Sequence, residues 1–158
     1  MPVKEIDVRA TTSADTTAVW RLLSDSSTWP SWTPIEAYEP EREGGRDGLG
    51  EIRRFTTGRV KVREEIVERS PERRLTYALL SGLALRDYRA EIDLTPVPEG
   101  TAIRWHTTFK PKVPGAGWIY RRALDRITRE FVDGLVQASV GSSRAPRDAG
   151  SRAAHRGG

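Results

Sequence analysis

Cysteine is absent from the 158-residue sequence, and histidine occurs only twice, as His106 and His155. Without cysteine the chain has no disulfide framework, no thiolate nucleophile, no zinc finger and no iron–sulfur cluster. Two histidines are too few for a histidine-rich metal site, and a Ser–His–Asp triad would have to use His106. The sequence therefore predicts no metal site and no cofactor.

Long apolar runs are also missing. No segment approaches the roughly 18 consecutive apolar residues of a membrane-spanning helix. The first ten residues, MPVKEIDVRA, lack the apolar stretch of a signal peptide. We therefore expect a cytoplasmic protein that does not span a membrane.

The charge balance is basic, with 26 Lys and Arg against 22 Asp and Glu and a pI near 9.7. Residues 140–158 hold four arginines and one aspartate, a net charge of +3, which leaves +1 for residues 1–139. The tail also has no hydrophobic periodicity. We predict one folded domain over residues 1–139, a disordered basic tail over 140–158, and no nucleic-acid partner, because the folded part is nearly neutral.

Alternating apolar and polar residues predict one strand near the start of the chain and a run of antiparallel strands in its middle. Between them, Val19, Trp20, Leu22 and Leu23 follow helical spacing. The prolines within residues 28–34 exclude a long helix there and predict a single helical turn or a packed loop. The predicted strands cover residues 3–10, 35–39, 50–57, 59–69, 74–80, 85–95 and 101–110.

The period changes to that of a helix over residues 116–138. Its predicted apolar stripe is Ile119, Ala123, Ile127, Phe131 and Leu135, with Leu124 and Val132 alongside. A curved antiparallel sheet needs a cover for its concave face, and a helix of this length supplies one. The predicted fold class is α+β, with the long helix on one side of the sheet.

Several segments resemble the START-like superfamily of polyketide cyclases, dehydratases and lipid-transport proteins (SRPBCC). The resemblance covers roughly residues 3–138 and lies in Trp29-Pro30-x-Trp32, GLGEIRR at 48–54, EIVERSPERRLTY at 65–77, GTAIRW at 100–105 and the terminal helix. It implies a helix-grip fold, in which the sheet wraps the long helix around an elongated, largely apolar cavity.

The alternation of the strands gives the residues of the inner face, which has two interpretations. On periodicity alone, an aromatic stripe of this kind is an ordinary filled core. The resemblance favours a cavity wall, on which tyrosine hydroxyls and Thr107 orient a ligand. The cavity-lining candidates are Tyr77, Tyr88, Ile92, Trp105, Thr107 and Phe109 on the strands, and Ala123, Ile127 and Phe131 on the helix.

Glu64 shares a strand face with Val60, Val62 and Ile66, so its carboxylate is expected to point inward. A buried carboxylate needs a partner or a raised pKa. Arg53 or Arg54 on the preceding strand is the expected partner, and we include Arg54 and Glu64 among the candidate ligand-binding residues. The alternative is a cross-strand ion pair near solvent.

His106 falls on the outward face, which leaves the interior without a base that titrates near neutrality. The leading hypothesis is a protein that binds a hydrophobic or amphipathic, lipid- or polyketide-like molecule in its interior. The alternative is a polyketide aromatase/cyclase or dehydratase that acts on such a ligand. The basic pI alone suggests a third class, an oligonucleotide-binding module.

Overall fold

A computed structural model describes residues 3–144 and confirms the α+β class. The chain forms seven strands, two short helices near its start and one long helix at the end of the described part. The strands are β1 (Lys4–Thr12), β2 (Ala37–Arg42), β3 (Ile52–Thr57), β4 (Val60–Ser70), β5 (Arg74–Ser81), β6 (Leu85–Val97) and β7 (Gly100–Pro111). The helices are α1 (Thr16–Ser24), α2 (Trp29–Trp32) and α3 (Gly117–Arg144), with a 3₁₀ turn at Ser26–Thr28.

All strands belong to one antiparallel sheet of order β1-β7-β6-β5-β4-β3-β2. Strands β2 to β7 are thus a meander in which each pairs with its neighbour in sequence. The first strand closes the far edge by pairing with the last, with Lys4 opposite Phe109 and Thr12 opposite Thr101. Helix α3 packs mainly on β1 and α1. This is the helix-grip arrangement.

The two short helices are fixed by local signals in the sequence. Asp15 is the N-cap of α1, where its side chain accepts a hydrogen bond of 2.9 Å from the Ala18 N–H. Val19 and Leu23, one turn apart on α1, are fully buried. The Trp29 indole N–H donates to the Leu23 carbonyl at 3.0 Å. This bond holds the Trp29 ring in the centre of the molecule.

Strand β7 shows how closely the alternation sets the inner face. Every second residue from Thr101 to Phe109 is at most 1% exposed, while the residues between them are only partly covered. His106 lies on the outer face and pairs with Glu5 of β1, as expected. The concave face of the sheet is therefore lined by the predicted side chains.

The predicted apolar stripe of the long helix is wrong in its first half. Ile119 and Ile127 are 53% and 41% exposed, and Ala123 is exposed as well. Residues four apart advance about 40° beyond a full turn, so a stripe drawn from 119 to 135 winds about 160° around the helix. The buried side is formed by Leu124, Val132 and Leu135, which were predicted in or alongside the stripe, and by Thr128 and Ser139, which were not.

Two of those buried residues are polar, so a pattern of apolar residues alone does not identify this face of the helix. The Thr128 hydroxyl donates to the Leu124 carbonyl at 2.7 Å. The Ser139 hydroxyl bonds to that of Thr12 on β1 at 2.9 Å. Because backbone groups and neighbouring hydroxyls satisfy them, these side chains pack like small apolar ones.

Helix α3 continues to Arg144, so residues 140–144 belong to the helix and not to the predicted tail. The rest of that tail, residues 145–158, lies outside the described residues. Within the described part of the chain, no helix is long and apolar enough to cross a membrane.

Helices α2 and α3 approach each other closely at Gly134. A Cβ atom at this position would lie 1.8 Å from the carbonyl oxygen of Trp32. Only a residue without a side chain permits this contact. It lets α2 and α3 meet at one end of the sheet.

Candidate functional site

The interior between the sheet and α3 holds an ion pair, Arg53 with Glu64. Arg53 is 0% exposed and Glu64 is 8% exposed. The guanidinium Nε donates to Glu64 Oε1 at 3.1 Å, since the two residues lie directly opposite each other on β3 and β4. The inward orientation expected for Glu64 is confirmed, and the pair is buried rather than near solvent.

Aromatic rings enclose the Arg53 guanidinium. Its Cζ lies 4.0 Å from the ring centre of Trp29, 4.6 Å from that of Phe55 and 4.8 Å from that of Tyr77. Contacts of a cation with ring faces are worth about 2 kcal/mol or more where water is excluded. The rings therefore offset part of the cost of burying the arginine charge.

A chain of polar groups connects Arg53 to the margin of the sheet. Arg53 Nη1 donates to the Ser26 hydroxyl at 3.1 Å, and that hydroxyl donates to Glu51 Oε2 at 3.1 Å. The Tyr38 hydroxyl donates to the other Glu51 oxygen at 3.4 Å. With Glu64 on one side and Ser26 on the other, the guanidinium has a fixed orientation.

Of the two arginines expected as partners of Glu64, Arg53 is the one that pairs with it, and the inclusion of Arg54 among the interior candidates is wrong. Its side chain is 51% exposed and pairs with Glu41 on the outer face. Successive residues of a strand point to opposite faces, and the buried Phe55 shares its face with Arg53. Because Arg53 lies two residues before the apolar Phe55, the alternation of the strand identifies Arg53 as the inward arginine.

Burial raises the pKa of the Glu64 carboxyl above its usual value, and the charge of Arg53 only partly opposes this shift. Burial also raises the pKa of the Tyr77 hydroxyl well above 10. It raises the pKa of the Tyr88 hydroxyl above its usual value too, and the opposing charge of Arg53 does not cancel that rise. Both tyrosines are therefore neutral hydrogen-bonding groups at physiological pH. Among the described residues, this cluster offers one cation, one weakened acid and two phenols.

Thr107 adds a second polar position on the concave face. It is fully buried, and its Oγ1 has no hydrogen-bond partner among the described residues. The Tyr88 hydroxyl lies near Thr107, whose side chain lowers the pKa of Tyr88 against the larger effect of burial. A buried hydroxyl without a partner costs about 1 to 3 kcal/mol, so such groups are usually completed by a water or a ligand.

We expect Thr107→Val to raise the melting temperature, since valine keeps the shape and removes the unpartnered hydroxyl. The control is Thr101→Val on the same strand and face. The Thr101 hydroxyl donates to the Ala14 carbonyl at 2.8 Å, so its loss should lower the free energy of unfolding by about 1 to 3 kcal/mol. Thermal unfolding measures both. Destabilisation by Thr107→Val would show that the hydroxyl is satisfied by Tyr88.

Most of the remaining cavity-lining candidates are buried in the interior. Ile92, Trp105 and Phe109 are at most 1% exposed. The half-buried ring of Phe131 lies 5.7 Å from Trp105 and 6.1 Å from Trp29. Ala123 and Ile127 were wrongly assigned, because both face outward. Contact of the inward residues with a ligand stays a prediction.

Three sequence-distant residues complete the site and were not predicted to line it: Trp29, Phe55 and Ser26. Of the three rings around the Arg53 guanidinium, that of Trp29 is the nearest, at 4.0 Å. The turn at Ser26–Thr28 brings Ser26 against the β3–β4 pair, a contact that no local pattern in the sequence reports. Phe55 carried a usable signal, namely its alternation with Arg53.

Open concavities also lie on the surface, away from this interior cluster. One follows charged outward residues that include Arg9, Arg74 and Arg104. Another lies between α2 and the second half of α3, and a third along the outer side of α3 beside Trp118. The described residues contain no cluster of three or more side chains suited to a metal ion. The interior polar cluster is the candidate site because it combines a buried ion pair with unpartnered polar atoms in an apolar interior.

Comparison with known proteins agrees with this architecture. The family model for polyketide cyclase/dehydrase and lipid transport matches residues 4–141. No curated protein matches the chain.

Solved structures with very different sequences share the fold. A protein from Nitrosospira multiformis is 17% identical with a TM-score of 0.73 and covers 89% of this chain and 99% of its own. Norcoclaurine synthase from Thalictrum flavum, in complex with dopamine and hydroxybenzaldehyde, is 17% identical with a TM-score of 0.70, covering 89% and 88%. Ara h 8.0201 is 15% identical with a TM-score of 0.70, covering 89% and 99%. These likenesses concern the fold, whereas the family match spans nearly all described residues: the chain belongs to the polyketide cyclase/dehydrase and lipid transport family.

Proposed function

We propose that this protein binds a hydrophobic or amphipathic small molecule between the concave face of the sheet and α3. The observation that carries the proposal is a pair of unpartnered polar atoms, Arg53 Nη2 and Thr107 Oγ1, in an aromatic interior. Binding sites for small molecules are typically apolar with a few directed polar groups. A ligand would cover the apolar surface and complete these groups.

Membership of the family supports the proposal at the level of the class of ligand. Among proteins of the same fold, norcoclaurine synthase holds dopamine and hydroxybenzaldehyde, two small aromatic molecules. The apolar contribution to binding is about 25 cal/mol for each Å² of ligand surface removed from water. Association and ordering costs reduce this gain, so the polar groups decide which ligands bind well.

The side chains that would admit a ligand lie on the less covered half of the interior. Helix α3 packs on β1 and α1 and makes few contacts with β3 to β6. Leu79, Leu83 and Tyr88 on that half are only partly buried, as are Tyr120 and Phe131 on the helix. Rearrangement of these partly buried side chains would give a ligand a path to Arg53 and Thr107.

Titration with phenylnaphthylamine, a neutral apolar fluorophore, tests the proposal. We expect saturable binding with enhanced emission, and loss of that binding in Ala90→Phe, which fills the centre of the concave face. The double variant Ile119→Gln/Ile127→Gln removes exposed apolar groups of α3 and should bind as the parent does. Binding that survives Ala90→Phe but disappears in the α3 variant would overturn the interior site. Native mass spectrometry of the purified protein provides an independent search for a retained ligand.

Catalysis is a second candidate, favoured by the buried acid Glu64 beside Tyr77, Tyr88 and Arg53. These groups can hold a reactive chain and exchange protons with it, in the manner of an aromatase/cyclase or a dehydratase. Incubation with a poly-β-ketone mimic separates the two functions. Cyclised product would assign the site to an enzyme, whereas stable binding without product would leave a carrier or sensor.

A further inference from the structure

We infer that Arg53 is the anchor for an anionic oxygen, so that the preferred ligands are acidic amphiphiles: apolar molecules that carry one carboxylate, sulfonate, enolate or phenolate group. The inference rests on the proposed function and narrows its ligand class. Two observations support it: some N–H groups of the guanidinium already have partners whereas others have none, and the charges around the guanidinium favour an anion.

The guanidinium has five N–H donors in a rigid plane. One, on Nε, is taken by Glu64, and one, on Nη1, by Ser26. The two donors of Nη2 have no partner, although the side chain is 0% exposed. Ring faces stabilise the charge, but they do not replace an oxygen that accepts directed hydrogen bonds.

The orientation of this free edge is set before any ligand arrives. Glu64 and Ser26 hold two other edges of the guanidinium, and Trp29 packs on its face at 4.0 Å. A preorganised donor pair loses little entropy when an acceptor binds. Two N–H groups on one nitrogen, beside a permanent positive charge, suit an oxygen that carries negative charge.

The charge balance favours an anion over a neutral acceptor. In the described part of the chain, Glu64 is the one carboxylate in contact with Arg53. Burial favours the neutral form of that carboxyl, whereas arginine keeps its charge. Protonation of Glu64 would leave the charge of Arg53 unbalanced, and an anion at Nη2 would then restore the balance.

Two probes that differ by one group test the inference. Anilinonaphthalene sulfonate is phenylnaphthylamine with an added sulfonate, which stays ionised across the working pH range. We expect the ratio of their affinities to favour the sulfonate, and to fall about 10-fold or more in Arg53→Met/Glu64→Gln, which removes the charges as a pair. Arg54→Met, which removes an arginine of the outer face on the same strand, should leave the ratio unchanged.

The pH dependence provides a second readout. Glu64 faces Arg53 of β3, Tyr77 of β5 and Tyr88 of β6, and Glu51 lies beyond Ser26. The buried side of α3 presents Leu124, Thr128, Val132 and Leu135, none of them charged. Sulfonate binding should therefore tighten as the pH falls from 8 to 5, because protonation of Glu64 leaves Arg53 to the ligand. Glu64→Gln should abolish that dependence and keep the tight binding.

The possible results distinguish failure of the anionic anchor from failure of the proposed binding function. If both probes bind and the affinity ratio is the same in the parent and in Arg53→Met/Glu64→Gln, the anionic anchor is overturned and the binding function stands. If Glu64→Gln weakens the sulfonate, the assignment of charges is wrong. If neither probe binds, the proposed function fails and the anchor fails with it. Circular dichroism and thermal unfolding establish that each variant is folded.

Discussion

Replacing Arg53 by methionine is expected to lower the free energy of unfolding by about 3 to 5 kcal/mol at neutral pH. Methionine fills much of the same space among Trp29, Phe55 and Tyr77, so the loss is not one of volume. It arises because Glu64 stays buried without its partner. Removing one member of a buried ion pair costs more than the intact pair contributes.

The pH dependence gives the sign of this effect. The pKa of Glu64 is already raised by burial, and Arg53 is the group that opposes the shift, so the variant raises it further. A group with a raised pKa in the folded state favours folding at low pH and loses that contribution as the pH rises through the folded pKa. The destabilisation should therefore be small near pH 4 and large near pH 8. Denaturant unfolding at several pH values measures it.

Two controls make the interpretation specific. Arg54→Met removes a half-exposed arginine from the next position, and we expect a change below about 1 kcal/mol. Arg53→Met/Glu64→Gln removes both charges and should recover most of the stability. A single Arg53→Met variant as stable at pH 8 as the parent would show that Glu64 reaches solvent or another partner.

Gly134→Ala is expected to destabilise the protein by about 1 to 3 kcal/mol, the usual cost of overpacking. The higher helix propensity of alanine alone would predict the opposite sign. In an unhindered helix the same change stabilises by about 1 kcal/mol. Here the new Cβ would lie 1.8 Å from the Trp32 carbonyl oxygen, and that neighbour is backbone, which yields less easily than a side chain. Helices α2 and α3 would have to separate, and Trp29, which begins α2, would shift from the arginine.

Gly141→Ala is the matched control on the same helix. A Cβ at 141 meets nothing within 4 Å, so the alanine should stabilise by up to about 1 kcal/mol. Thermal unfolding of the two variants should move the melting temperature in opposite directions. A rise in both would mean that α2 is free to move away from α3 at little cost.

The sheet was predictable because its signal is local and repeated. Alternation along β6 and β7 assigns Ile92, Trp105 and Thr107 to one face without knowledge of the rest of the chain. The long helix was predictable in existence but not in orientation. Its buried side includes Thr128 and Ser139, and the apolar Ile119 and Ile127 lie outside it, so hydropathy and packing disagree.

The site was predictable only in part, because its decisive contacts join distant segments. The position of Glu64 followed from its strand face, whereas the choice between Arg53 and Arg54 turned on a shift of one residue, which exchanges the two faces of a strand. Bulges in the pairing of β4 with β5 on both sides of Glu64 add to this ambiguity. The contact of Ser26 with Arg53 depends on how a 3₁₀ turn packs on the sheet, and no spacing in the sequence encodes it.

The pairing of the first strand with the last has a consequence for how the chain folds during synthesis. The meander of β2 to β7 can assemble stepwise from segments that are neighbours in the sequence. Strand β1 has no partner until β7 has been made, because Lys4 pairs with Phe109, about a hundred residues later. Helix α3 follows every strand in the sequence, so the part of the concave face that it covers, on β1 and β7, stays open until α3 has been made. The nascent chain thus exposes an open strand edge and an aromatic face for most of its synthesis, and both are sites at which chaperones or other nascent chains can bind.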